Sequence, residues 1–504
     1  MSALAKGGRT NFFGFLLRLA ARLPFLFIAG RIYGADALGR FAYAILVVEF
    51  AAQLATLGLK RGLAGQLART SRHHTHVVYD ALLVAGIASA LVTGLLMLFP
   101  HAMFPNSGVN GLDRLLALIV FALAWSDIAL AACAYRFDVG ATVRARSIIE
   151  PWTISIAAYA FSFYSLRDGL ILSYVASMVA ALVASILPML KHYGLPRGWR
   201  PHPAKLWLMA RRNLPLAAAD GIEWGSRRLD LAILGLFVTP GIVGVYYVAQ
   251  QVASLPQKLK TSFEPILGPV ISRNVAERNY GVIARQIAQV GFWIVAAQAG
   301  IALALGIPGE AVMGLVGPSF VGGTGALAFL LAAEVLAAPA VVSEAALVYI
   351  ARMRNLAISV AMIALQALLS FAFIFALQAV FRANPTLAAQ LGKPELYIAA
   401  CPAAALAAAL GLASLVKARL LSRLLGEGVR VWRWALLWAM AAAIVVGAGF
   451  SALPHRLEWI ELALGVPAIL GAYCLVMWRR GFGPDDRALF RKQKGYEAPT
   501  LPTP

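Results

Sequence analysis

Asp220, Glu223, Arg227 and Asp230 lie in an apolar stretch, Asn213 to Phe237, and at 100° per residue they fall within an arc of about 80°. A charge at the centre of a bilayer costs about 2.5 to 3.5 kcal/mol on insertion scales, so a face carrying four ionisable groups must look into protein or water. It reads as one wall of a polar cavity.

Other charges sit in apolar runs and extend this reading. Arg18 and Arg22 are four residues apart on the first run, with Arg22 near its middle, and Arg227 is near the middle of its own. Three arginines at similar depth would make a cationic cavity. Guanidinium forks bind phosphate bidentately and stay charged at any working pH. Arg228, off the shared face, completes the set of candidate substrate-binding residues. The competing reading is that these arginines pair with Asp220, Glu223 and Glu49 and simply hold helices together. Glu49, Asp127, Asp220, Glu223, Asp230 and Glu334 are candidates for ion coupling or charge pairing, since an intramembrane carboxylate can carry a proton or sodium ion. Glu223 and Arg227 are spaced i, i+4, which favours an ion pair. Arg31 and Arg40, near the expected external ends of their runs, are expected to snorkel.

No phosphate loop, zinc-protease helix or nucleophile elbow is present, so enzyme chemistry is not expected. His73, His74 and His76 form an H-H-x-H cluster that reads as a solvated loop rather than a metal site. Cys133, Cys401 and Cys474 lie in apolar runs as small hydrophobes, and neither disulfide, metal nor cofactor is expected.

These residues have to be positioned by membrane helices. The chain is 504 residues long, 61% hydrophobic and 13% charged, where soluble proteins carry about 25% charged residues. Its net charge of +21 is no nucleic-acid signal, because the basic residues collect in alternate loops. Apolar runs of about 20 residues predict 14 spans. With the N-terminus inside, most of the 44 Lys and Arg residues fall in cytoplasmic segments, which places both ends in the cytoplasm. Residues 1–190 read as a six-helix lobe, 191–212 as a basic cytoplasmic linker and 213–418 as a second six-helix lobe. Residues 419–478 carry spans 13 and 14 after a loop, and 479–504 form a basic, disordered cytoplasmic tail. Residues 258–279 read as an interfacial helix broken by Pro265 and Pro269. Shifting the first lobe by 205 residues puts Arg22 on Arg227, Gly30 on Gly235, Gly39 on Gly244 and Ala44 on Ala249. A parallel repeat of this kind places a substrate site between the halves.

The segment Arg227 to Gln257 also carries Arg228 and Asp230, then Leu234, Gly235, Leu236 and Phe237, then Val243, Gly244 and Tyr246, then Ala249, Leu255 and Pro256. In that order these residues resemble the signature of bacterial polysaccharide-exporter, or O-antigen-type, flippases of the multidrug/oligosaccharidyl-lipid/polysaccharide (MOP) superfamily. Leu38, Gly39, Phe41 and Ala44 echo it in the first lobe, and Pro269 to Arg273 resembles the family's following turn. The resemblance implies an all-α, MOP/MATE-like integral membrane fold: two six-helix lobes around a central cavity, with two further C-terminal helices. It implies a polyprenyl-pyrophosphate-linked oligosaccharide turned from the inner to the outer leaflet of the bacterial plasma membrane. Membrane lipids, and a polysaccharide polymerase with chain-length machinery, are the partners to expect. A multidrug or organic-cation antiporter of the same superfamily is the first alternative. A membrane glycosyltransferase or acyltransferase is the second, and the short external loops count against it.

Overall fold

The computed structural model describes residues 23–261, 271, 274, 277, 279–429, 431–452, 458–483 and 486. All regular structure among them is helical, and ten helices are long and apolar enough to cross a membrane. The chain is a multi-pass all-α membrane protein. Of the expected spans, the first lies largely outside the described residues. The fifth, expected at 147–165, appears as the π turn Arg144–Ile149 running into a helix at Glu150–Ser162, and the seventh and eighth, expected at 213–237 and 241–257, are helical but too polar or too broken to count among the ten.

The helices gather into two compact units. The first comprises residues 1–251, 313–327 and 363–406. It contains α1 (Gly34–Ala55), α2 (Leu59–Arg69), α3 (His74–Leu98), α4 (Gly111–Leu115), α5 (Ile119–Tyr135), α6 (Val139–Val143), α7 (Glu150–Ser162), α8 (Gly169–Tyr193), α9 (Pro203–Ser226), α10 (Leu229–Leu234) and the start of α11 (Pro240–Thr261). The second comprises 252–312, 328–362 and 407–504. It holds α12 (Tyr280–Gly306), most of α13 (Thr324–Ile350), the start of α14 (Arg352–Ala383), the end of α15 (Pro394–Leu425), α16 (Trp434–Ser451) and α17 (Val466–Val476).

In the first unit, α2 explains how a basic segment comes to lie against the spans. Leu59, Leu63 and Leu67 recur every four residues, so one stripe is apolar; all three are buried against Val78, Ala81, Ile128 and Cys133. Burying each leucine is worth about 1.5 to 3 kcal/mol. The turn into α2 needs Gly58, which has φ +71° and sits so close under α9 that a methyl group there would meet the Asn213 carbonyl oxygen and the Ala217 nitrogen. Lys60 and Arg61 are therefore held on a docked helix.

Two departures from the sequence reading bear on the site. The helix expected at 213–237 begins ten residues earlier, at Pro203, because a proline at N1 followed by Ala, Lys, Leu, Met and Arg makes a good helix start. It ends at Ser226. The Arg227 and Arg228 nitrogens donate to carbonyls three residues back, those of Trp224 and Gly225, and the chain restarts as α10. The supposed common face of Asp220, Glu223, Arg227 and Asp230 is thereby broken, since a 100° step holds only along an unbroken helix.

Gly39 on α1 and Gly244 on α11 face each other. A methyl group on Gly39 would overlap the Pro240 carbonyl oxygen, and one on Gly244 the carbonyl oxygen of Ala35. The contacts are reciprocal under the same 205-residue shift. The second unit is built on Phe292, Val295, Leu421, Leu436, Ile469 and Tyr473. Part of the expected disordered tail is docked there: Asp486 is buried and accepts from Arg433 (2.7 Å) and Trp293 (2.8 Å). Residues 484–485 and 487–504 of the tail, and most of the expected interfacial helix, lie outside the described residues.

Candidate functional site, a charged track in the first unit

Arg61 leaves α2 toward α9. Its Nη2 donates to Glu223 Oε2 (2.6 Å), and its Nε lies 2.8 Å from Asp220 Oδ1, a contact of charge without hydrogen-bond alignment. Asp220 is buried, whereas Arg61 is half exposed. Arg227 donates to the other oxygen of Glu223 at 3.1 Å, the i, i+4 pair that the spacing predicts, and is 64% exposed. One residue earlier on α2, Lys60 donates to Asp127 Oδ2 on α5 at 2.9 Å. Asp127 Oδ1 accepts from Arg146 at 2.5 Å, and Arg146 turns its second nitrogen to Glu150 Oε2 at 2.9 Å.

The track continues along α1. Tyr174, buried on α8, donates to Glu49 Oε1 at 3.0 Å and lies within electrostatic reach of Glu150 and Arg146. Glu49 Oε2 is 3.9 Å from Arg228, whose guanidinium rests over the Trp224 ring. Among the described residues five cations, Lys60, Arg61, Arg146, Arg227 and Arg228, meet five carboxylates, Glu49, Asp127, Glu150, Asp220 and Glu223. The described track is neutral overall. Its members are unequally buried, so water reaches some of the pairs.

Two candidates lie elsewhere. Asp230, on α10, is buried and accepts from the Tyr246 hydroxyl at 2.6 Å and from Gln250 at 3.2 Å, which makes it a tie between α10 and α11. Glu334 is half buried on α13 in the second unit. Arg18 and Arg22 lie outside the described residues.

At the start of α1 a separate cluster corrects the snorkelling expectation for Arg40. That residue is buried over the Phe104 ring, its Nη2 donating to Asp113 Oδ2 at 2.5 Å, with Asp168 at 3.9 Å. Asp113 closes a capping box with Asn110, and Arg167 reaches both carboxylates at 3.4 Å. The charges pair because two buried carboxylates lie within reach, which sequence position alone does not reveal. Arg31 is exposed and donates to the Leu315 carbonyl at 3.1 Å. Asp138 lies outside the spans, and His192 at the end of α8 bonds its carboxylate at 3.0 Å and, with the Ala141 amide and Arg144, holds that carboxyl below its ordinary range despite partial burial. The three histidines open α3 rather than sit in a loop: His73 is its N-cap, with its ring 5.8 Å from that of His76, whose Nε2 is 3.1 Å from the Arg197 carbonyl oxygen, and His74 packs edge-on to Tyr135.

Residues 28–304, more than half of the chain, match the family described as polysaccharide biosynthesis protein. The chain belongs to that family. No curated protein sequence matches the chain. Among solved structures it is similar to the lipid II flippase MurJ in an inward closed conformation, at 12% identity and TM-score 0.65, covering 95% of this chain and 100% of that one. An inward-facing multidrug resistance MATE family transporter of the MOP superfamily matches at 15% identity and TM-score 0.60, over 81% and 94% of the two chains. A MOP superfamily transporter from Pyrococcus furiosus matches at 15% identity and TM-score 0.52, over 83% and 95%. The chain thus has the fold of MOP superfamily transporters.

Sequence reasoning missed Lys60, Arg61, Arg146, Glu150 and Tyr174. For α2 a signal existed in the leucines spaced by four beside two basic residues. Tyr174 and Glu150 carry no comparable local sign.

Proposed function

We propose that this protein is a flippase that moves polyprenyl-pyrophosphate-linked oligosaccharide from the inner to the outer leaflet of the bacterial plasma membrane, with both termini cytoplasmic and no covalent chemistry. The observation that carries the reading is the charged track inside a fold shared with transporters, in a chain of the polysaccharide biosynthesis family. The sugar headgroup would travel through a hydrated cavity between six-helix lobes at 1–190 and 213–418, while the lipid tail stays in the bilayer. The reciprocal meeting of Gly39 and Gly244 supports the repeat on which that division rests.

Pyrophosphate competes with carboxylates for guanidinium groups. In this track each cation already has a carboxylate, so capture is an exchange: phosphate oxygens replace Glu223 on Arg61 and Arg227, or Asp127 and Glu150 on Arg146. Arg18 and Arg22 would add the positive charge that tips the balance toward substrate. A displaced carboxylate is free to take a proton or sodium ion, which gives Glu49, Asp127 and Glu223 a coupling role. Moving one negative charge outward across an inside-negative membrane gains about 2.3 kcal/mol per 100 mV, so the potential favours export. The test is leaflet transfer of a fluorescent polyprenyl-pyrophosphate oligosaccharide in liposomes holding the purified protein. Transfer by wild type and its loss in Arg146→Gln and Arg22→Gln is expected; equal transfer by both variants would remove the arginines from the mechanism.

A second reading has its own support. The similar MATE structure is a multidrug resistance transporter, and the track holds as many carboxylates as cations. An organic-cation antiporter would show proton-driven dye efflux in the same liposomes, with no leaflet transfer of the lipid.

A further inference from the structure

Arg354 stands at the start of α14, and Arg419 and Arg423 are one turn apart near the end of α15. With Ile358, Val416 and Leu420 they line a cleft of about 490 Å³ in the second unit. That volume lies within the range of small-ligand sites, roughly 300 to 1,000 Å³. Its walls are fixed in place. Lys417, buried, donates to Ser359 on α14 (3.0 Å) and to Glu344 on α13 (3.0 Å), and Asn355 donates to the other Glu344 oxygen at 3.4 Å.

Lys417 and Asn355 engage Glu344, and none of the three cleft arginines has an ion pair or side-chain hydrogen bond among the described residues. Three guanidinium groups thus share one cleft without a counter-charge among the described residues. Helices α14 and α15 each run 32 residues. At 1.5 Å per residue that exceeds the hydrocarbon thickness of about 30 Å, so these ends stand at headgroup depth. Beside the cleft, Leu356 and Val360 on α14 and Leu412 and Leu415 on α15 are exposed, an apolar wall for acyl chains.

We propose that this cleft binds an anionic phospholipid of the cytoplasmic leaflet, its headgroup phosphate held by Arg354, Arg419 and Arg423 and its chains lying along the exposed leucines and Val360. The leaflet follows from the orientation proposed above. A zwitterionic lipid brings its own cation next to the arginines and is disfavoured. A free phosphate ion would leave the apolar walls unused. The bound lipid would span α14 and α15 at the point where Lys417 joins them.

The experiment is native mass spectrometry of the full-length protein released from mixed micelles holding equal phosphatidylglycerol and phosphatidylcholine, with inorganic phosphate as a third probe. Wild type should retain phosphatidylglycerol over phosphatidylcholine by about fivefold or more, the gain expected from even one arginine near an anionic surface. The ratio should approach one in the Arg354→Gln/Arg419→Gln/Arg423→Gln variant and stay unchanged in Arg479→Gln/Arg480→Gln. A single Arg419→Gln change should give an intermediate ratio, so the result does not depend on the triple variant folding. The proposal falls if the triple variant keeps the wild-type ratio, or if excess inorganic phosphate displaces the lipid. Because no transport is measured, failure here would leave the flipping proposal standing, and failure of flipping would leave this one.

Discussion

The two ends of α1 hold charge in opposite ways. At its start, Arg40, Asp113 and Asp168 are shut away from solvent, with Arg167 and an Asn110 capping box completing the cluster. Toward its end, Glu49 and the neighbouring Lys60, Arg61, Arg227 and Arg228 stand partly in the open, each cation beside a carboxylate that a ligand could replace. A buried pair is a fastening, because removing one partner strands the other in low dielectric. A partly wet pair holds its partners loosely, since solvent competes for both. The first cluster therefore belongs to stability and the second to exchange.

The largest expected effect tests the fastening. Asp113→Ala should destabilise the protein by about 3 to 5 kcal/mol, the cost of stranding a buried charge, read as a loss of unfolding free energy in detergent. Replacing Arg40 and Asp113 together by Met and Leu should recover most of it. An Asp113→Ala protein as stable as wild type would erase the contrast. Next, Asp127→Asn should slow leaflet transfer about tenfold or more, equivalent to about 1.4 kcal/mol on the barrier, while the melting temperature stays close to wild type. A slowed variant that also unfolds would move Asp127 into the structural class. Arg61→Gln should cost about 1 to 3 kcal/mol, because Asp220 is left buried without its cation, and adding Asp220→Asn should restore much of the loss. Smallest of all, Arg227→Gln should change stability by no more than about 0.5 kcal/mol, since its pair with Glu223 is exposed; a clear drop in transfer with stability intact would then mark Arg227 as a substrate contact.

The fold was legible because apolar runs of span length and alternating basic loops are properties of composition and order. The residues of the family resemblance prove to be mainly architecture: Asp230 bonds Tyr246, Leu234 and Ala249 are buried, and Gly244 meets Gly39. Arg228 is the member of that signature that reaches the charged track. What was not legible were the partners. Asp220 and Asp230 look equivalent on a helical wheel, yet one turn of chain at Arg227 and Arg228 sends them to different neighbours. Arg61 and Arg146 read as topology markers because their role depends on tertiary approach to Glu223 and Asp127, which no local spacing encodes.

The crossing of α1 and α11 has a mechanical corollary. Bare backbone at Gly39 and Gly244 lets the two helices touch; the Asp36 carboxylate lies against Gly241, but no ion pair or side-chain hydrogen bond joins residues 35–39 to 240–244 among the described residues. Such a seam resists compression but offers nothing to unfasten, so prising it apart forfeits dispersion alone and breaks no ion pair. A bulky residue at either glycine would act as a wedge, holding that crossing ajar whatever the state of the charges further along.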